Sequence, residues 1–243
     1  MRLWQKQVVP MALPPLRILT VDEQHTLVTT YLKQRTTADQ ISILEAGCGR
    51  KWHFDLQGAH YRLTGIDLDK DALEVRKNEE KDLHEAIVGD LRNASLKPEG
   101  YDVIYSSYVL EHIEGAQQVL DNFCKWLKSH GLLIVYIPDR ESVYGFLSRR
   151  TPHWVHVLFY RYLLRRPDAG KPGNAPYPTY YDAVVSREGI WEYAHKHQLN
   201  IREECGYYKP RGLVSVLMKC AQLLSLGRLA SSHCDLLFIL EKY

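Results

Sequence analysis

The chain has 243 residues, enough for one α/β domain with a substantial core and an insertion of some tens of residues, and short for two full domains. Thirty-one lysines and arginines against twenty-nine aspartates and glutamates leave a formal net charge of +2, so the charge balance calls for no nucleic-acid partner. The five cysteines are scattered without C-x-x-C spacing, which argues against a zinc cluster or a disulfide framework and fits a reducing, cytoplasmic setting with no metal.

Pro10, Pro14 and Pro15 interrupt the apolar residues at the N-terminus, so no signal-peptide core is expected. No window reaches the roughly 18 uncharged apolar residues of a membrane span. Thr20 and Glu23 have capping-box spacing, and Leu27, Val28, Tyr31 and Leu32 supply an apolar stripe, which predicts a helix over about 22–35. Ile41 to Ala46 reads as a buried strand that hands over to the turn Gly47-Cys48-Gly49. Glycine lets the backbone turn sharply there and approach a ligand closely.

Leu63 to Asp67 is a second strand, and Ala72, Leu73 and Val75 begin a helical pattern after it. The 18 positions from Gly49 to Asp67 leave room for a short crossover helix, although Lys51-Trp52-His53-Phe54 is less regular than that place usually holds. Ala86 to Asp90 is a third strand, 101–106 a fourth and 132–137 a fifth. Between the last two, Val119, Leu120, Phe123, Trp126 and Leu127 mark a helix over 115–129, with Gly131 as its stop signal. Strands alternating with helices predict a mostly parallel sheet, covered on both faces, with ligands at the carboxyl ends of its strands.

The alternation lapses after the fifth strand. Thr151 as N-cap with Pro152 in the first helical position opens a helix, and Arg165-Arg166-Pro167 closes it. The proline-rich stretch 167–179 reads as a binding loop, and 139–182 as an insertion over the site. A helix from Ser186 to about His197, a strand over 200–207, an apolar helix over 213–226 and a strand over 235–240 complete the chain. The organisation expected is a single domain over 1–243: an N-terminal segment and helix to 40, a cofactor core over 41–138, the insertion, and the rest of the sheet over 183–243.

Three strands in series thus end in Glu45, Asp67 and Asp90, with a Gly-x-Gly turn after the first and Asp102-Val103-Ile104-Tyr105-Ser106, then Leu110-Glu111-His112, following in register. In these residues, from about Ile41 to Pro138, the chain resembles class I S-adenosylmethionine-dependent methyltransferases. The resemblance implies a doubly wound, Rossmann-like sheet of seven strands, order 3-2-1-4-5-7-6, with the seventh antiparallel. It implies that Glu45 orders the glycine loop and faces the methionine amino group, and that Gly47, Cys48 and Gly49 form that loop. Asp67 takes the ribose hydroxyls, a bidentate task suited to two acceptor oxygens. Leu68 touches the adenine, Asp90 and Leu91 read and cover it, and Ser106 and Ser107 stand at the methionine end. A third glycine common in the family is replaced by Lys51, which leaves Arg50 and Lys51 as solvated charges or contacts to an acidic group. A nicotinamide-binding G-x-G-x-x-G turn would need glycine at position 52, where the chain has Trp52.

His112 stands close enough behind the fourth strand to serve as a general base, and Asp139 is a second candidate for the same role. Tyr108, Trp154, Tyr180 and Tyr181 are candidate acceptor contacts. The sequence after the fourth strand, Ser106-Ser107-Tyr108-Val109, lacks an Asn/Asp-Pro-Pro-Tyr signature and favours O- or C-methylation of a small molecule. Residues 151–166, apolar with an arginine edge, and 213–226, apolar almost all round, suit a hydrophobic, amphipathic or lipid-linked acceptor, or contact with a membrane surface. Two other readings stay open: an S-adenosylmethionine-binding regulatory or scaffolding module without turnover, and a macromolecule methyltransferase.

Overall fold

A computed structural model of the protein describes residues 13–36, 40–163, 165–171, 174–180, 182–207 and 212–243. Its centre is an eight-stranded sheet. The strands are β1 (Arg17–Leu19), β2 (Ile41–Ala46), β3 (Tyr61–Asp67), β4 (Glu85–Val88), β5 (Tyr101–Ser107), β6 (Leu127–Pro138), β7 (Leu199–Tyr207) and β8 (Asp235–Lys242). They lie in the order β1-β7-β8-β6-β5-β2-β3-β4. Counted from β2 onward this is the expected 3-2-1-4-5-7-6, and β8 alone runs against its neighbours β6 and β7. The expected count of seven is corrected to eight by β1, which pairs in parallel with β7. Three residues are too few to show a periodicity, so this edge strand leaves no trace in the sequence pattern.

Side chains alternate across the strands, so the central ones feed two cores. Leu44, Ala46, Ile104 and Leu133 face one side, under α3 (Ala116–Trp126) and α6 (Arg187–Lys196). Ile43, Val103, Leu132 and Ile134 face the other, where Val28 and Leu32 of α1 (Val21–Arg35) cover them. α1 starts in the expected box: the Glu23 amide donates to Thr20 Oγ1 and the Thr20 amide to Glu23 Oε2 at 2.8 Å.

Between β2 and β3 the structure has no crossover helix. Residues 47–60 cross over as an irregular loop that buries Trp52, Phe54 and Leu56. Trp52 and Phe54 stack edge-on against each other and against Tyr105, and this aromatic packing supplies the cover that a helix would otherwise give. Nor does α3 run on to Gly131. Trp126 and Leu127 are buried, and Leu127 already pairs with Tyr101 in the sheet, so the helix ends at Trp126 and β6 begins at once.

The insertion holds an unexpected helix, α4 (Val143–Arg150), capped by Ser142 Oγ on the Gly145 amide at 2.9 Å. α5 (His153–Leu158) follows, continued by a wider turn to Leu163. Here Pro152 is the N-cap, whereas Thr151 was expected there; Thr151 Oγ1 instead donates back to Leu147 O and receives His156 Nε2. α4 packs against the last helix, α7 (Gly212–Leu224), through Val143 and Met218. α2 (Lys70–Val75), capped by Asp69 and widened over 76–80, follows β3. No helix of the described residues is long and apolar enough to cross a membrane.

Candidate functional site

The strand order reverses between β2 and β5, and the carboxyl ends of β2, β3, β5 and β6 open on one crevice. Gly47 sits at φ +70°, donates to Ile66 O at 2.8 Å, and would place a Cβ 2.3 Å from Val109 Cγ2. Gly49 sits at φ +54° with open space where its Cβ would project, and its amide donates to Asp67 Oδ2 at 2.8 Å. Asp67 Oδ1 accepts the Asp69 amide at 2.9 Å. The acid and the turn are therefore fixed against each other, and each oxygen keeps a second lone pair for a ligand. Leu68 is 70% exposed beside them.

Glu45 closes β2 as expected, but its carboxylate is turned inward. Oε2 receives Arg76 Nη2 at 2.8 Å, and Arg76, wholly buried, also donates to Cys48 O and to both oxygens of Asp82. One guanidinium thus ties the end of β2, the glycine loop and the segment after α2 together. Burial pushes Glu45 up to about 8 against the opposing pull of Arg76. Arg76 follows Ala72 and Leu73 on the buried stripe of its helical stretch, and a charge on such a stripe is the signal that could have found it. Cys48 is buried and its thiol is pushed up to about 12, which leaves it inert at neutral pH.

Asp90 lies two residues beyond β4 and is held by Arg92, whose Nη2 stands 2.6 Å from Oδ2; the guanidinium keeps the carboxyl below its usual range. Leu91 is a core residue here, packed among the side chains above β2 and β5, and offers no exposed face to a ring. Ser106 is buried, and its Oγ has no partner among the described residues. Ser107 ends β5.

Beyond β5 the chain changes direction at Tyr108, whose φ of +56° is strained for a residue with a bulky side chain. Its hydroxyl meets the Tyr207 hydroxyl, and the field of Asp235 reaches it from the start of β8. Burial pushes Asp235 up to about 7 and Glu111 up to about 8. Glu111 is only 3% exposed, and its Oε2 is without a partner among the described residues.

His112 follows on a short 3-10 turn. Its Nδ1 lies 2.7 Å from Pro178 O, so Nδ1 carries the proton and Nε2 keeps the lone pair in the neutral ring. Nε2 stands 3.8 Å from Glu111 Oε1, and burial lowers the imidazole below its ordinary value. The segment that brings Pro178 here is pinned at three points. The Tyr180 amide donates to Glu111 O, Asp182 Oδ2 accepts the Gly115 and Ala116 amides at the start of α3, and Tyr177 packs edge-on to His112. Tyr177 also feels the charges of Asp69 and Asp67, so it spans the two halves of the crevice. Tyr207, Asp235, Tyr177 and Pro178 were not singled out from sequence, since nothing local marks residues that meet only through tertiary packing.

Asp139, at the end of β6, is buried and engaged: Oδ2 lies 2.7 Å from His233 Nε2 and Oδ1 accepts the Glu141 amide. Trp154 is 62% exposed on α5, and Tyr180 is exposed at the crevice rim. Tyr181 lies outside the described residues. The structure therefore gathers Gly47, Gly49, Asp67 and Leu68 at one end of the crevice and Tyr108, His112 and Tyr180 at the other, while Glu45 and Asp139 are committed to buried hydrogen bonds with Arg76 and His233.

Residues 44–135 match the family described as "Methyltransferase domain". No curated protein is matched by sequence. Among solved structures, an S-adenosylmethionine-dependent methyltransferase from Mesorhizobium loti is 16% identical over 89% of this chain and 96% of its own, with a TM-score of 0.57. The N-methyltransferase NodS from Bradyrhizobium japonicum WM9, in complex with S-adenosyl-L-homocysteine, is 19% identical over 91% and 86%, TM-score 0.53. The [4+2]-cyclase SpnF is 12% identical over 96% and 89%, TM-score 0.51. At these identities the likenesses show a shared fold, and a shared fold carries more than one chemistry.

Proposed function

We propose that the chain is a class I S-adenosylmethionine-dependent methyltransferase that methylates a hydroxyl or carbon of an amphipathic small molecule, with His112 as general base. The residues fit the donor. Gly49 leaves open the space that a Cβ would fill, Asp67 is pre-set with free lone pairs at the end of β3, Leu68 presents an apolar surface beside it, and Ser106 Oγ is a buried hydroxyl without a partner among the described residues. When bound, the sulfonium supplies an activated methyl group for in-line displacement. The protein's part is alignment, which by itself is worth several orders of magnitude, and removal of the acceptor's proton.

The observation that carries the reading is the bond from His112 Nδ1 to Pro178 O. It fixes the tautomer with the Nε2 lone pair available, and burial keeps the ring neutral near pH 7. Exposed Trp154, Phe159 and Tyr162 beside the crevice supply the apolar surface for an amphipathic acceptor, lipid-linked or free, and for peripheral contact with a membrane.

The test uses methyl-labelled donor with separate lipid and aqueous extracts, comparing wild type with His112→Gln. The expected result is a label in one fraction, turnover at least about 100-fold lower in the variant, and unchanged donor affinity by calorimetry. Because burial lowers the ring's pKa below its ordinary value, wild-type turnover should rise with pH to a plateau reached at lower pH than an unperturbed imidazole would give. Equal turnover in the two proteins would return His112 to a packing role.

A further inference from the structure

A second cleft, of about 440 Å³, opens beside the crevice, between the end of α4, the start of α5 and residues 178–180. Arg149, Arg150, His153 and His156 line it together with the hydroxyl side chains of Thr151 and Tyr180, and none of its lining residues is acidic. Among the described residues, no ion pair consumes either guanidinium. Arg149 donates one N–H to Arg140 O and Arg150 lies over the Phe146 ring at 5.3 Å, while no described carboxylate pairs with either. These contacts fix both side chains and leave most of their donors free, since each guanidinium carries five N–H groups.

A cleft lined by two arginines and two histidines, with no carboxylate in its lining, suits an anion rich in oxygens. A carboxylate has two oxygens and one charge. A phosphoryl group has three terminal oxygens and up to two charges, and planar guanidinium forks match it in pairs. We propose that this cleft is an anion site that takes the phosphoryl group of a phosphorylated acceptor.

Its place in the fold supports the assignment. Pro178, in the cleft wall, is the residue whose carbonyl holds His112, and Tyr180, in the same wall, is bonded to the backbone of Glu111. His153 is near enough to bias the protonation of His112. A phosphoryl group anchored on Arg149 and Arg150 would leave the rest of its molecule beside the wall that borders His112. As an acceptor subsite the cleft rests on the methyl-transfer reading above; as an anion site it does not.

Calorimetry with inorganic phosphate alone, without methyl donor, tests the site. The expected result is binding to the wild-type protein, binding weaker by about 10-fold or more in R149A/R150A, as for loss of charge-assisted bonds, and partial retention in R149K/R150K. Circular dichroism on both double variants confirms that they fold. No binding of phosphate, or equal binding by R149A/R150A, overturns the proposal. Vesicles of phosphatidic acid and soluble glycerol phosphate, each competed against inorganic phosphate, separate the sources. Displacement by vesicles assigns a lipid headgroup, displacement by glycerol phosphate alone assigns a soluble phosphorylated acceptor, and displacement by neither overturns the acceptor subsite. Because the readout needs no turnover, its failure leaves the His112 experiment intact, and the converse holds.

Discussion

Glu111 is an acid enclosed almost completely by protein, with one oxygen unpartnered among the described residues, and burial carries it from the ordinary 4.5 to about 8. A carboxyl raised in the folded state binds its proton more tightly there than in the unfolded chain. Its contribution to stability is full below pH 4.5 and is lost as pH rises through about 8. Glu111→Gln should therefore show a flatter dependence of Tm on pH than wild type across about pH 5 to 9, the two curves diverging most at the alkaline end. Parallel curves would show that Glu111 ionises freely in the fold. Asp235 is raised as well, so the difference between the proteins is the quantity to read. At this scale the acids at the strand ends were legible because a carboxylate after an apolar run stands out. The partners of Glu45 and Asp139 were not, because Arg76 and His233 lie 31 and 94 positions away and meet them only in the fold.

Among the elements, α1 shows how far local chemistry reaches. The Thr20 and Glu23 side chains satisfy amides that the first helical turn leaves without partners, and the helix begins where that spacing put it. Thr20→Ala should lower stability by about 1 kcal/mol, read by urea denaturation with an unchanged m-value. A loss indistinguishable from zero would mean that packing of Val28 and Leu32 alone sets the helix start. β2 and α6 were equally legible, with a buried apolar run in one and a serine cap in the other. The crossover after Gly49 was misread because its aromatic residues are held by contact with Tyr105 from another strand, a non-local reason that no window of sequence contains.

At the scale of the whole molecule, the insertion and α7 present apolar surface that the sheet does not cover. Trp154, Phe159, Tyr162 and Leu163 are exposed, with Tyr162 at 79%, and Val216, Leu223 and Leu224 are exposed on α7. Exposed Arg161, Arg165 and Arg166 edge the first group. Apolar side chains rimmed by cations suit an anionic lipid surface, where each cation adds about 1 kcal/mol at low salt. Co-sedimentation with phosphatidylglycerol vesicles should therefore exceed that with phosphatidylcholine. It should fall on raising salt to about 0.5 M, where screening is strong, and fall again in a Trp154→Ser, Phe159→Ser variant. Equal recovery of variant and wild type would show that another surface makes the contact.

The sequence by itself determined the donor end of this protein. Period-two apolar runs, glycines at the turn and acids at strand ends are local patterns, and the order of the parallel strands was the one implied by the resemblance those patterns carry. Only the tertiary structure decided which of those acids stay available to a ligand and what faces the acceptor. Asp67 remains partly open while Glu45 is closed by Arg76, and His112 acquires its tautomer from Pro178 and its neighbour Tyr177 from a segment more than 60 residues further along the chain. Pairing between distant residues depends on how the whole chain packs, so the loop Gly47-Cys48-Gly49 could be read alone and the crevice opposite it could not.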